Sequence, residues 1–130
     1  MLLQTTLSLA AAAAIINVWL SMRIGRLRQA HKVSVGTGGH ELIERRMRAQ
    51  LNFAENVPVA LILIGLIELA QKGGAWLAPV GAVMMLGRVL HGLGMDGGKL
   101  EWGRGVGTLT TMLGNVGLAI VAVLIALGTM

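Results

Sequence analysis

Glu44-Arg45-Arg46-Met47-Arg48-Ala49-Gln50-Leu51-Asn52-Phe53-Ala54-Glu55-Asn56-Val57-Pro58 is the stretch on which the fold turns. It opens a segment that otherwise reads as a membrane-spanning helix. Between Arg48 and Glu68, Glu55 is the only charged residue. The uncharged run that follows, Asn56 to Ile67, is twelve residues long. A hydrocarbon core requires roughly 20. If the segment spans, Glu55 must enter the membrane region. A carboxylate is expensive there and faces protein groups rather than lipid, which makes it a candidate functional residue.

The rest of the chain fits a membrane environment. Of its 130 residues, 55% are hydrophobic and only 13% are charged, where a soluble domain carries about 25% charged residues. Mean hydropathy is +0.72. Four apolar segments stand out: Met1 to Met22, Glu41 to Gln71 (apolar from Leu51 onward), Ala75 to Met95 with Arg88 and His91 inside it, and Gly105 to Met130. In lipid, only helices or closed barrels satisfy the backbone. The expectation is an all-α, integral membrane four-helix bundle in one domain over residues 1–130. Its helices are placed at about 1–28, 41–71, 75–95 and 103–129. The glycine-rich breaks at Gly36-Thr37-Gly38-Gly39, Lys72-Gly73-Gly74 and Asp96-Gly97-Gly98-Lys99 are turn signals. Short connections make neighbouring helices antiparallel, giving a left-handed up-down protomer. No Lys or Arg precedes Arg23, so the first segment reads as a retained helix and not a signal peptide.

Charge placement sets the expected orientation. Seven of the eleven basic residues (Arg23, Arg26, Arg28, Lys32, Arg45, Arg46, Arg48) lie in one stretch between two apolar segments. The third loop adds Lys99 and Arg104, while the second holds only Lys72. Loops one and three should be cytoplasmic and both termini outside. This distribution, with scarce aromatics, argues against nucleic acid. There is no cysteine, and the three histidines are scattered, so no metal or thiol site is expected.

Polar residues recur within the apolar segments. Arg45, Arg48, Asn52 and Glu55, spaced i, i+3, i+7 and i+10, share one face of the second helix. Arg88 and His91 share a face of the third, and Arg104 opens the fourth. Glu55, seven residues past Arg48, lies about 10 Å into its helix. Arg88 lies at similar depth on the next helix, so the two are expected to pair. Guanidiniums bind carboxylates, and a carboxylate binds an ammonium. The set suits a small zwitterionic anion with several carboxylates and a free amine. Plainer readings stand beside this. On these, Arg45, Arg46 and Arg48 anchor to lipid phosphates, and Glu55 with Arg88 is a structural ion pair. Glu68 and Lys72 form an interfacial i, i+4 pair. Pro58 kinks its helix, and Gly107, Gly114 and Gly117 allow close helix contacts.

Residues Glu44, Arg45, Arg48, Ala49, Gln50, Asn52, Glu55 and Pro58 carry a resemblance. Their spacing is similar to the second-helix signature of the membrane-associated proteins in eicosanoid and glutathione metabolism, the MAPEG family. The stretch looks most like the signature of its leukotriene C synthase and microsomal glutathione transferase branches. Gly87-Arg88-Val89-Leu90-His91, with Arg104 sixteen residues after Arg88, resembles the third- and fourth-helix pattern of the prostaglandin E synthase branch. Length and layout match small bacterial members.

The resemblance implies a homotrimer in a bacterial inner membrane, with glutathione as co-substrate bound between subunits near the cytosolic face. It implies that Arg48, Asn52, Glu55, Arg88 and His91 contact or line the glutathione site, and that Arg28 or Arg26 reaches it from the end of the first helix. Arg104 would be the catalytic residue holding the thiolate. The partners would be lipids and a lipophilic electrophile. The implied activity is a membrane-bound glutathione transferase or peroxidase serving detoxification. Two departures stand out. Asn56 and Met95 occupy positions where the family often has tyrosine, and the chain has none. Two alternatives remain open: a non-catalytic lipid-binding or scaffold protein of the same fold, and a small multidrug transporter. Such transporters place their buried glutamate in the first helix, which here has no acidic residue.

Overall fold

A computed structural model describes all residues, 1–130. Four helices form: α1 (Gln4–His31), α2 (Glu41–Leu69), α3 (Leu77–Gly94) and α4 (Trp102–Ala126). A 3₁₀ turn at Gly98–Leu100 precedes the last. There are no strands. All four helices are long and apolar enough to cross a membrane.

The ends of the helices follow from local chemistry. Lys32 closes α1 in the left-handed conformation, its N–H donating to the Arg28 and Gln29 carbonyls. Gly36, Gly38 and Gly39 then turn the chain with positive φ. Glu41 and Glu44 occupy the first turn of α2, where the helix dipole favours negative charge. Pro58 does not interrupt α2, which continues to Leu69. Pro58 has no N–H to give the Ala54 carbonyl; just before it, the Asn56 side chain donates to the Asn52 carbonyl at 2.8 Å.

The bundle runs up-down-up-down. Asn17 meets Gln50 and Thr6 meets Glu68, so α1 and α2 are antiparallel. Arg88 meets Asn52 and Arg46 meets Asp96, so α2 and α3 are antiparallel as well. The α3–α4 seam is the tightest. A Cβ on Gly94 would overlap the Arg104 backbone, and one on Gly107 would overlap the Gly87 carbonyl. Only glycine lets these backbones touch. The seam brings His91 and Arg104 to one end of the bundle.

Only 27 of the 130 residues are buried, and the surface is correspondingly apolar. Ile15, Ile62, Leu86 and Leu113 point outward and are each more than half exposed. Such a continuous apolar exterior suits lipid, not water. Ile43, Ile64, Ile67, Leu77 and Leu118 fill the interior.

Two polar clusters close the bundle's ends. At the basic end, Asp96 accepts from Arg23 of α1 and from Arg46 of α2, the latter at 3.0 and 3.1 Å. Arg46 also donates to the Arg23 carbonyl, and Arg23 to the Gly92 carbonyl. At the other end, Glu68 accepts the N–H groups of Thr5 and Thr6 at 2.8 and 2.9 Å, and the Thr6 hydroxyl at 2.6 Å. This corrects the expected Glu68–Lys72 pair, since those two form no salt bridge. The start of α1 offers several unpaired N–H donors in a fixed array. They hold the carboxylate better than a flexible, exposed lysine does.

Candidate functional site

The α2 spacing delivers Arg48, Asn52 and Glu55 to one wall of a pocket of about 360 Å³. Leu51 completes that wall. His91 and Met95 from the end of α3, with Arg104 and Thr108 from α4, form the others. Five of the sequence-selected residues (Arg48, Asn52, Glu55, His91, Arg104) therefore share one cavity. Its ionisable groups are two guanidiniums, one carboxylate and one imidazole.

The two ions most central to the sequence reading are free within the protomer. Glu55 is exposed and makes no salt bridge or hydrogen bond. The Arg104 side chain is exposed and likewise unpaired. Arg48 reaches Glu44 only at 3.4 Å, with its side chain 70% exposed. That contact is long and wet, worth little in stability, and leaves the guanidinium available. Arg45 turns away and pairs with Glu41 at 2.8 Å.

The expected Glu55–Arg88 pair does not form. Arg88 is 2% exposed and lies behind the pocket wall. It donates to Asn52 Oδ1 at 2.6 Å, to Thr111 Oγ1 at 3.1 Å and to His91 Nδ1 at 3.3 Å. Depth along the helix was read correctly, but rotation about it was not. Asn52 occupies the inward position at Arg88's height, and Glu55 points outward. Arg88 thus reaches the pocket through Asn52 and His91.

Arg28 lies elsewhere. It lines a second, larger pocket of about 840 Å³ on the α1–α2 face, with Asn17, Ser21, Glu44 and Gln50. Its Nε donates to the Gly36 carbonyl at 3.1 Å. Arg48 and Leu51 line both pockets and form the ridge between them. Sequence reasoning missed Asn17 and Gln50, which bond to each other at 3.3 Å. Gln50 stood inside the motif that decided the fold. Asn17, the one polar residue between Ser8 and Ser21, was the available signal. A third cavity, about 560 Å³ and almost wholly apolar, lies between the halves of α3 and α4 remote from the basic end and includes Trp76, Met84, Gly114 and Leu118.

Comparison with known sequences now bears on this arrangement. The sequence pattern of the MAPEG family matches residues 6–124, almost the entire bundle. The chain belongs to the MAPEG family. It is also similar to the inner membrane protein YecN of Escherichia coli strain K12, and to YecN of Escherichia coli O6:H1. Each is 27% identical over 96 residues, covering 73% of this chain and 72% of the relative. As a MAPEG protein with four spanning-length helices and an apolar exterior, the chain is an integral membrane protein.

Proposed function

We propose that this MAPEG protein is a glutathione-dependent transferase or peroxidase acting on lipophilic electrophiles or lipid hydroperoxides at the membrane. The observation that carries the reading is the convergence of Arg48, Asn52, Glu55, His91 and Arg104 on one pocket at the basic end. Glutathione carries two carboxylates, one ammonium and one thiol. Guanidiniums fit the carboxylates, and the otherwise unpaired Glu55 fits the ammonium. An uncompensated Arg104 beside the sulfur favours thiolate over thiol. The thiolate then attacks the electrophile, the S–C bond forms, the leaving group departs with its electron pair, and the thiol proton goes to solvent.

Arg28 enters this reading through a second copy of the chain. Its pocket and the Glu55 pocket lie on different faces of one protomer, separated by the Arg48–Leu51 ridge. A carboxylate exposed at membrane depth is costly against lipid, so both faces are best covered by neighbours. In a homotrimer, the α1–α2 face of one copy closes over the Glu55 pocket of the next, and Arg28 and Gln50 join the site. The basic loops one and three are cytoplasmic on this reading, the termini lie outside, and the membrane is the inner one, as for YecN. The lipid-binding alternative is favoured by one observation, the apolar groove between α3 and α4.

The test is turnover of glutathione with a chlorinated aromatic acceptor by the detergent-purified protein and by Arg104→Ala. Removing a preorganised group that stabilises developing or fixed charge lowers the rate by about 100-fold or more. Unchanged turnover in Arg104→Ala sinks the assignment of that residue. No turnover in the wild type favours the lipid-binding alternative.

A further inference from the structure

Arg88 is the most deeply buried charge in the molecule, and it has no acidic partner. Its hydrogen-bond partners are what make it informative. A guanidinium has five donors and no acceptor, so every group bonded to it must accept. Nη1 donates to Thr111 Oγ1, while Nη2 spends one hydrogen on Asn52 Oδ1 and the other on His91 Nδ1. Nε is buried without a partner.

Two consequences follow for the pocket. His91 Nδ1 must present its lone pair to Arg88, so in the neutral ring the proton sits on Nε2. Asn52 must turn its oxygen inward, which leaves its Nδ2 hydrogens for the cavity that it lines. We propose that Arg88 is a positioning residue that locks His91 as a neutral Nε2–H donor and Asn52 as an amide N–H donor. The wall they form then offers hydrogen only, and selects a ligand that places anionic or carbonyl oxygens, or a thiolate, against it. Arg48 and Arg104 donate as well. Among the charged groups Glu55 alone accepts, and so fixes where the ligand's ammonium lies. The inference rests on glutathione as occupant only for the identity of the ligand, not for the state of the two side chains.

It also assigns His91 a restricted role. Its one basic nitrogen is engaged by a cation, and the nitrogen left for the pocket has no lone pair. His91 orients ligand and takes no proton from the thiol, which leaves the thiolate to Arg104. Protonating His91 would put an N–H against the Arg88 N–H and two cations side by side. The charges facing the ring do not relieve this. They are Arg88 on its own helix, Arg104 from α4, and Arg48 and Glu55 from α2 across the pocket. On the α1 side, Arg23 bonds the Gly92 carbonyl and is paired with Asp96.

The experiment is ¹⁵N NMR of histidine-labelled full-length protein in detergent or nanodiscs, titrated around neutral pH, with His91 assigned by its loss in His91→Gln. The expected result is a neutral Nε2–H tautomer for His91 that stays fixed across the titration. An Nδ1–H tautomer, or an imidazolium at neutral pH, overturns the inference. In Arg88→Met, His91 is expected to titrate or to mix tautomers, and an unaltered locked ring removes Arg88 from the account. If Arg88→Met does not fold, Thr111→Val loosens the same guanidinium and is expected to unlock the ring in part, with no change counting against it. Glutathione binding gives an independent check. Gln carries an amide N–H where His carries Nε2–H, so His91→Gln should bind within about threefold of wild type and His91→Phe about tenfold or more weaker. Equal losses in both overturn the donor role. A wild type that binds no glutathione at all sinks the transferase reading, while the tautomer still decides this one.

Discussion

Glu55 and Glu68 sit on the same helix, and their surroundings could hardly differ more. Glu68 is saturated: two backbone N–H groups and a hydroxyl at the start of α1 surround its carboxylate. Glu55 has no partner in the protomer, though it lies beside two unpaired or loosely held arginines. Burying or membrane-embedding a charge is tolerated when its hydrogen bonds are made. Glu68 meets that condition inside one chain, so it works as a structural clasp between α1 and α2. Glu55 meets it only with something from outside the chain, whether ligand or neighbouring copy. The contrast separates two carboxylates on one helix: one is closed by the chain's own hydrogen bonds, the other is left open beside unpaired charge.

The contrast is sharpest in the pocket. Glu55→Gln removes the only acidic acceptor there, and glutathione binding is expected to weaken by about 10- to 100-fold. Thermal unfolding should hardly move, because no bond within the protomer is lost. A large loss of Tm with intact binding would reverse the two glutamates' roles. Asp96→Asn comes next, because Asp96 ties α1, α2 and the α3–α4 connection together through Arg23 and Arg46. The expected cost is about 1–3 kcal/mol, read from denaturant unfolding. Binding should weaken only modestly, through loosening of the turn that leads into Arg104.

Glu68→Gln tests the clasp itself. Amide hydrogens of Thr5 and Thr6 should exchange on the order of tenfold faster, with glutathione binding unaltered. Unchanged exchange would mean that the clasp does not hold the start of α1. Arg45→Ala, which breaks an exposed i, i+4 pair with Glu41, should stay within about 0.5 kcal/mol of wild type. It should leave binding alone, since Arg45 lies outside both polar pockets. A clear binding loss there would enlarge the site beyond Arg48.

Much of the bundle was legible because lipid imposes simple rules. Four spans, their order and their antiparallel connections follow from apolar length and glycine-rich breaks. The Arg48, Asn52, Glu55 wall was legible from helical spacing alone. What spacing does not give is helix rotation relative to a neighbour. Residues 52 and 55 lie within a turn of each other in depth and about 60° apart around α2, which is enough to turn Asn52 to Arg88 and Glu55 to the open side of the pocket. A depth estimate chose Glu55 for Arg88, where the packed bundle chose Asn52. Glu68 was misread for a related reason. Its nearest cation in sequence is Lys72, but its best partners are backbone donors 62 and 63 residues away. By sequence Asp96 reads as part of a turn, and Arg46 as a lipid anchor. Its position as the one acid facing two helices emerges only once the loops fold over the bundle's end. Arg28 belonged to the right end and the wrong face, a distinction that side-chain inventory cannot make.

Equilibrium binding of glutathione to the detergent-purified protein, beside Arg48→Ala and Glu55→Ala, tests the central claim most directly. The account predicts micromolar to low-millimolar binding in the wild type that is lost in both variants, each of which still folds. No binding up to about 10 mM, well above the usual range of substrate affinities, would contradict it, and the open pocket at the basic end would then belong to another ligand or to the contact between copies.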